Sequence, residues 1–378
     1  MAAASTLSVF MIVRNEHDRI LNTLNHINQL ADEIVIVDTG STDKTVELLR
    51  ELIKRTGKKN RVRLFEVGNK FHDEDGDFDF GAAKQYALEQ CTKDYVMWLD
   101  ANDMIQNQVQ LRHIFVTETA KDKNVYFSMP TCTSKTFAFS RDRIGPRDCT
   151  RMVGRIHEYM VFSKNLRRIF VPIEIRNYKK SRDINRNIRI LKKEWKREPT
   201  SRTAMYLGMS YGDIGNRDES LKWFHIRVFD KRFKKDFPEE TLKACEYIMA
   251  ITSQAFKPGR DPYIEKVLQR MFDLFPKRFE PHYYNALYAM HQGDFKYALS
   301  ELKLFPKLKK NVGEYKLWLD PRIYRTDIVR RTMEKCIKEI KWKTPERGDS
   351  IQDYVPGMER MAGAMGGYLP PMESSVYY

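Results

Sequence analysis

The chain of 378 residues carries 66 Lys+Arg against 51 Asp+Glu, a formal net charge of +15, with 42% hydrophobic residues. That is enough apolar material for two ordinary domains, each with its own core. No apolar run approaches the roughly 18 residues of a membrane helix. The five cysteines are scattered without a C-x-x-C pair, which argues against a disulfide framework or a zinc site and for a reducing, cytoplasmic setting.

The first 100 residues alternate strand and helix. Leu7 to Val13 is short, apolar and not preceded by a basic region, so it reads as a first strand rather than a signal peptide. His17–Leu30 has apolar residues at 20, 21, 24, 27 and 30, a helical period. Glu33–Asp38 (E-I-V-I-V-D) is a β-branched run of the kind buried on both faces. Thr39–Asp43 is a turn that caps a helix over Lys44–Arg55. A strand over Arg61–Val67, a helix over Gly81–Gln90 and a strand over Tyr95–Leu99 follow. This order predicts an α/β domain with a parallel sheet and helices on both faces. Ligands in such folds bind beyond the carboxyl ends of the strands. Arg14-Asn15-Glu16, Asp38-Thr39-Gly40-Ser41 and Asp100-Ala101-Asn102-Asp103 all fall there.

Between about 104 and 180 the pattern is mixed. Val125–Met129 and Met160–Phe162 read as strands, and Arg141–Arg155 as a polar, Arg-rich connection. The run Asp73 to Asp79 lacks the glycine and glutamate spacing of a calcium loop and reads as a solvated acidic loop. From about 183 the signal is helical. Ala204 to Tyr211, Gly215 and Ser220-Leu221 to Phe224 match a tetratricopeptide-like helix-turn-helix, repeated at Tyr284, Leu287, Gly293 and Ala298-Leu299. Trp98, Tyr95 and the repeat aromatics (Trp195, Trp223, Phe224, Tyr283, Tyr284) are expected in cores. Residues 1–175 hold 25 basic and 24 acidic side chains, whereas 176–378 hold 41 and 27, so nearly all the positive excess belongs to the helical half. Such a surface attracts polyanions, and also keeps a protein soluble. The expected division is a catalytic domain over 1–180, a basic helical-repeat domain over 181–344, and an extended or disordered Gly/Pro/Met-rich tail over 345–378.

Four segments in order carry the chemistry: M-I-V-R-N-E (Met11 to Glu16), I-V-D-T-G-S-T-D-K-T (Ile36 to Thr45), F-D-F-G-A-A-K-Q (Phe78 to Gln85) and W-L-D-A-N-D (Trp98 to Asp103). Together they resemble the inverting family-two glycosyltransferases of GT-A, Rossmann-like fold. G-R-I-H-E (Gly154 to Glu158) and the helices behind it resemble the subgroup with a fused tetratricopeptide-like domain. The resemblance implies transfer of a sugar from a nucleotide-sugar donor, UDP-linked, to a macromolecular acceptor. It places Arg14, Asn15, Glu16, Asp38, Gly40, Ser41, Asp79, Lys84, Asp100, Ala101 and Asn102 at the donor. It also implies Mn²⁺ or Mg²⁺ near Asp100, Asn102, Asp103 and His157, because a hard cation takes oxygen ligands and shields a departing diphosphate. Asn102 stands where a second Asp is common, which weakens the charge of the site. His157 is a candidate metal or diphosphate contact and Glu158 a candidate general base or acceptor contact. Arg151 and Arg155 are held as phosphate or acceptor contacts. The acceptor is a polypeptide or a glycan, or alternatively nucleic acid such as a hydroxylated base of viral or phage DNA, which the basic half would suit. A non-enzymatic alternative is a decayed nucleotide-sugar-binding scaffold.

Overall fold

The computed structural model describes residues 4–57, 61–134, 137–177, 183–253, 259–308 and 323–343. The tail expected over 345–378 lies outside them. The chain forms two compact units, Met1–Ile190 and Leu191–Tyr378.

The first unit opens with β1 (Leu7–Val13), α1 (Ile20–Ile27), β2 (Glu33–Asp38), α2 (Thr45–Thr56), β3 (Val62–Glu66), α3 (Phe80–Glu89) and β4 (Tyr95–Trp98), close to the sequence expectation. β1 pairs in parallel with β2 and with β4, and β2 with β3. The register Val13↔Asp38 and Phe10↔Trp98 brings the carboxyl ends of β1, β2 and β4 to one edge. β2 is buried along its whole length, as its unbroken β-branched run requires.

Beyond β4 the sheet stops being parallel. The short β5 (Asp103–Ile105) and α4 (Gln108–Lys121) lead into β6 (Val125–Ser134) and β7 (Phe137–Pro146). β7 inserts beside β4 and runs antiparallel to both β4 and β6. β8 (Thr150–Val153) and β9 (Tyr159–Phe162) form a separate antiparallel ribbon, and β10 (Arg167–Phe170) and β11 (Ile175–Asn177) each pair with β6. Among the described residues the sheet has nine strands, in the path order β3-β2-β1-β4-β7-β6-β11-β5 with β10 joined to β6. The fold is GT-A, a mixed sheet on a Rossmann-like base. Two expectations are corrected here. Arg141–Arg155 is no simple connection, since β7 and β8 run through it; the arginine content conceals a strand whose Arg143 points inward and is buried. The acidic loop is not simply solvated, because Asp77 is buried against Arg189 and Asp73 pairs with Arg155.

The second unit is helical. α5 (Ser201–Asp213) packs on α6 (Arg217–Phe229), α7 (Pro238–Thr252) on α8 (Pro262–Leu274), and α9 (Phe279–His291) on α10 (Phe295–Leu302). The first pair approaches closely because Gly208 has no side chain: an added Cβ would lie 2.7 Å from the Phe224 ring. The Ser220 hydroxyl then donates to the Gly208 carbonyl at 2.8 Å. Trp223 and Phe224 are buried as expected. Inside this unit a buried arginine, Arg278, pairs with Glu239 at 2.6 Å and with Glu280, which also accepts from the Tyr324 hydroxyl at 2.5 Å. Among the described residues no helix is long and apolar enough to cross a membrane.

Candidate active site

The loop after β1 and the loop after β2 are tied together. Asn15 adopts the left-handed region (φ 57°), which a short amide side chain tolerates. Its Oδ1 accepts from the backbone amides of Thr42 (2.8 Å) and Asp43 (3.3 Å), while its own amide donates to Ser41 Oγ at 2.9 Å. The Glu16 amide donates to Thr45 Oγ1 at 2.9 Å. Asp38 is only 3% exposed. Its Oδ1 accepts from the amides of Gly40 (3.0 Å) and Ser41 (3.1 Å), and Oδ2 accepts from the Ser41 hydroxyl. Gly40 permits this turn through a φ of 96°. Asp38, Gly40 and Ser41 thus bond to one another. The exposed Arg14 lies 3.1 Å from His72 Nε2.

Asp79 caps α3, accepting from the Ala82 amide at 2.8 Å. The start of α3 is locked to the segment before His157. A Cβ at Gly81 would lie 2.2 Å from the Gly154 carbonyl oxygen, and the Phe80 amide donates to the Arg155 carbonyl at 2.9 Å. One turn into α3, Lys84 is 1% exposed. Its ammonium bridges Asp100 Oδ1 (2.7 Å) and Glu158 Oε1 (2.5 Å) and sits 4.2 Å above the Trp98 ring. Burial opposes the Lys84 charge, but the two carboxylates outweigh it and raise the pKa. Burial also works against an ionised Glu158, yet the adjacent ammonium holds its pKa below the usual range despite the nearby Asp100 charge. Lys84 was expected to meet a donor phosphate; its nitrogen is instead enclosed between two protein carboxylates.

Asp103 also differs from expectation. Its side chain is fully buried, with Oδ2 accepting from Arg143 (3.0 Å) and from the Asp100 amide (3.1 Å), and Oδ1 from Asn177 Nδ2 (2.6 Å). With both oxygens engaged and no exposure, it does not fit a metal ligand. It fixes the backbone that aims Asp100 outward. Arg143 stacks 3.9 Å from the Trp98 ring centroid and Arg141 lies 5.5 Å from it, so with Lys84 the indole lies against three cations. Of the metal candidates, Asp100 keeps 25% side-chain exposure, and Asn102 accepts from Asn177 at a long 3.3 Å. Ala101 is buried, its carbonyl accepting from Thr23 Oγ1 at 2.5 Å. Among the described residues no group of three His, Cys, Asp or Glu side chains forms a preassembled cation cage. A single outward carboxylate with an amide carbonyl still fits Mg²⁺ or Mn²⁺, which take few protein ligands when substrate phosphates complete the shell. His157 sits at φ 56° on the turn before Glu158. Arg155 is committed to Asp73 (2.6 Å) and the Asp77 carbonyl (2.8 Å), so it is not aimed at a phosphate; Arg151 lies exposed on β8.

Residues 8–164 match the family model described as Glycosyl transferase family 2. Over these residues the chain is similar to the family-two glycosyltransferases. An uncharacterized glycosyltransferase of Rickettsia bellii is 24% identical over 180 residues, 42% of this chain and 54% of that protein. The lipopolysaccharide core biosynthesis glycosyltransferase LpsC of Rhizobium meliloti is 26% identical over 243 residues, 64% of this chain and 72% of that protein. Residues 1–349 of S. aureus TarS, solved in complex with UDP-GlcNAc, superpose at a TM-score of 0.34 with 14% identity, covering 80% of this chain and 92% of that one. Matches to three Rickettsia relatives span a third to just over half of their length (33–56%).

Within the first unit, sequence reasoning brought Lys84, Asp100 and Glu158 onto one list but not into one cluster. It missed Arg143 and Asn177, and with them the stacking of cations on Trp98. A buried charge at the foot of an apolar strand was the available signal: Asp103 follows W-L-D-A-N immediately and needs a partner if it is inside.

Proposed function

We propose that the protein is an inverting glycosyltransferase that moves a sugar from a nucleoside-diphosphate donor to a hydroxyl of a macromolecular acceptor. The observation that carries this reading is the Asp100–Lys84–Glu158 cluster at the carboxyl end of β4, within the family-matched region. Asp100, with Asn102, is the pair that would hold a divalent cation, which when bound supplies Lewis-acid shielding of the departing diphosphate. Glu158 accepts the acceptor proton as the acceptor oxygen bonds to the anomeric carbon and the bond to the diphosphate breaks. Lys84 keeps Glu158 ionised and fixes both carboxylates. Arg14, exposed on the loop after β1, is a cation suited to a phosphate oxygen.

A ligand that binds the folded chain raises its melting temperature by mass action. UDP-glucose or UDP-GlcNAc with Mn²⁺ is expected to stabilise the wild type and to leave Asp100→Ala unmoved. Equal shifts in both proteins would remove Asp100 from the site, and no shift with any nucleotide sugar would favour a non-enzymatic scaffold. The charge of residues 176–378 favours a second reading for the acceptor alone, a polyanion such as DNA. Activity on DNA that falls steeply with salt would support it.

A further inference from the structure

A second polar cluster lies on the strands beyond β4. Register places Asp142 of β7 opposite Ser128 of β6, and Arg168 of β10 opposite Tyr126 of β6. Tyr126 and Ser128 alternate with the fully buried Phe127, so their side chains share the face opposite to it. The Arg168 guanidinium is oriented by two hydroxyls, Ser128 Oγ at 2.7 Å and Ser140 Oγ at 3.2 Å. The Tyr126 ring packs against Phe162 of β9, centroids 4.6 Å apart and 37° from coplanar. Trp98 Nε1 donates to the Asp142 carbonyl at 2.9 Å, so this cluster is joined to the indole that backs Lys84.

The cluster is unusual in what it leaves unused. Among the described residues the Asp142 carboxylate accepts no hydrogen bond, although it is half-buried and Arg168 is its neighbouring charge. The Tyr126 hydroxyl likewise has no hydrogen-bond partner among the described residues, and Asp142 is the charge that most affects it after burial. Half-buried acceptors and donors without protein partners, beside a fixed guanidinium and a pair of aromatic rings, are the lining of a ligand site. The ligand must present several hydroxyls to the carboxylate, the phenol and the guanidinium, and an apolar face to the rings. A pyranose has both.

We infer that Asp142, Tyr126 and Arg168 form a subsite for a sugar residue of the acceptor, distinct from the donor cluster around Asp100. This rests on the glycosyltransferase reading, and it favours a glycan over an unglycosylated peptide or DNA as the acceptor. Saturation-transfer NMR on the full chain tests it, with methyl β-glucoside, methyl β-galactoside and methyl β-N-acetylglucosaminide as probes and a serine-containing tetrapeptide as comparison. At least one glycoside is expected to receive saturation from the wild type. Its affinity is expected to fall about tenfold in Asp142→Asn, the loss typical of a hydrogen bond to a charged group. Tyr126→Phe, which removes one oxygen and keeps the ring, is expected to weaken it less, and the thermal shift with UDP and Mn²⁺ is expected to be unchanged in both variants. No glycoside signal, equal affinity in all three proteins, or signal from the tetrapeptide alone would overturn the subsite. A retained UDP shift in those cases would leave the donor reading standing, whereas its loss from the wild type would bring down both.

Discussion

Lys84 Nζ lies 2.7 Å from Asp100 Oδ1, so a partly exposed carboxylate is held from behind by an ammonium that solvent scarcely reaches. One positive charge there serves two negative ones, since Glu158 shares it.

Removing that charge should therefore be costly. Lys84→Met leaves Asp100 and Glu158 facing each other uncompensated, and breaking a buried pair from one side costs about 3 kcal/mol or more. Urea denaturation is expected to show a loss on that order. Lys84→Arg should recover part of it, as the charge is kept but the wider guanidinium must find room beside Trp98. A Lys84→Met protein as stable as wild type would mean that the bridge contributes nothing.

The two aspartates of the W-L-D-A-N-D segment should separate cleanly. Asp103→Asn strands the buried Arg143 and is expected to destabilise by about 3 kcal/mol. Asp100→Asn, at a partly exposed position, is expected to change stability far less while abolishing stabilisation by UDP-sugar with Mn²⁺. The reverse pattern in melting curves would exchange their roles.

Asp142 gives a pH signature. Burial pushes its carboxyl up to about 6, with Arg168 pulling the other way, against an ordinary 3.8. The folded chain then keeps a proton that the unfolded chain has released, so stability is fully present below pH 4 and falls as pH rises to about 6. Relative to Asp142→Asn, the wild type is expected to lose on the order of 3 kcal/mol across that window. Parallel stability-against-pH curves for the two proteins would contradict the assignment.

Gly81 tests the lock between α3 and the turn at Gly154. A methyl group placed 2.2 Å from a backbone oxygen cannot be absorbed by a rotamer change. Gly81→Ala is expected to cost about 1–3 kcal/mol, and to weaken donor binding because Lys84 and Glu158 sit on the two segments being forced apart. Unchanged stability would show that the backbone yields freely there.

The strands and helices up to β4 were legible because period and turn chemistry agree. E-I-V-I-V-D can be little else but an interior strand, and Asp79 before G-A-A-K announces a helix start. β7 was hidden because its arginines argue for solvent. Arg143 is paid for by Asp103, 40 residues earlier, and by the Trp98 face, a relationship no local window contains. The same holds for Asp77, whose partner Arg189 lies 112 residues on, and for Lys84, whose partners lie 16 and 74 residues away. The site residues were readable as a list; which of them face the cleft and which hold the others depends on pairings made only in three dimensions.

The turn after β2 has a consequence for how pyrophosphate is met. Many nucleotide-binding folds leave a row of peptide N–H groups open at a helix start, and the anion settles on that cradle. Here the successive N–H groups of Gly40, Ser41, Thr42 and Asp43 are all taken, the first two by Asp38 and the next two by Asn15. These four N–H groups are closed to an anion, so the counter-charge beside them has to come from a side chain or an ion that arrives with the nucleotide.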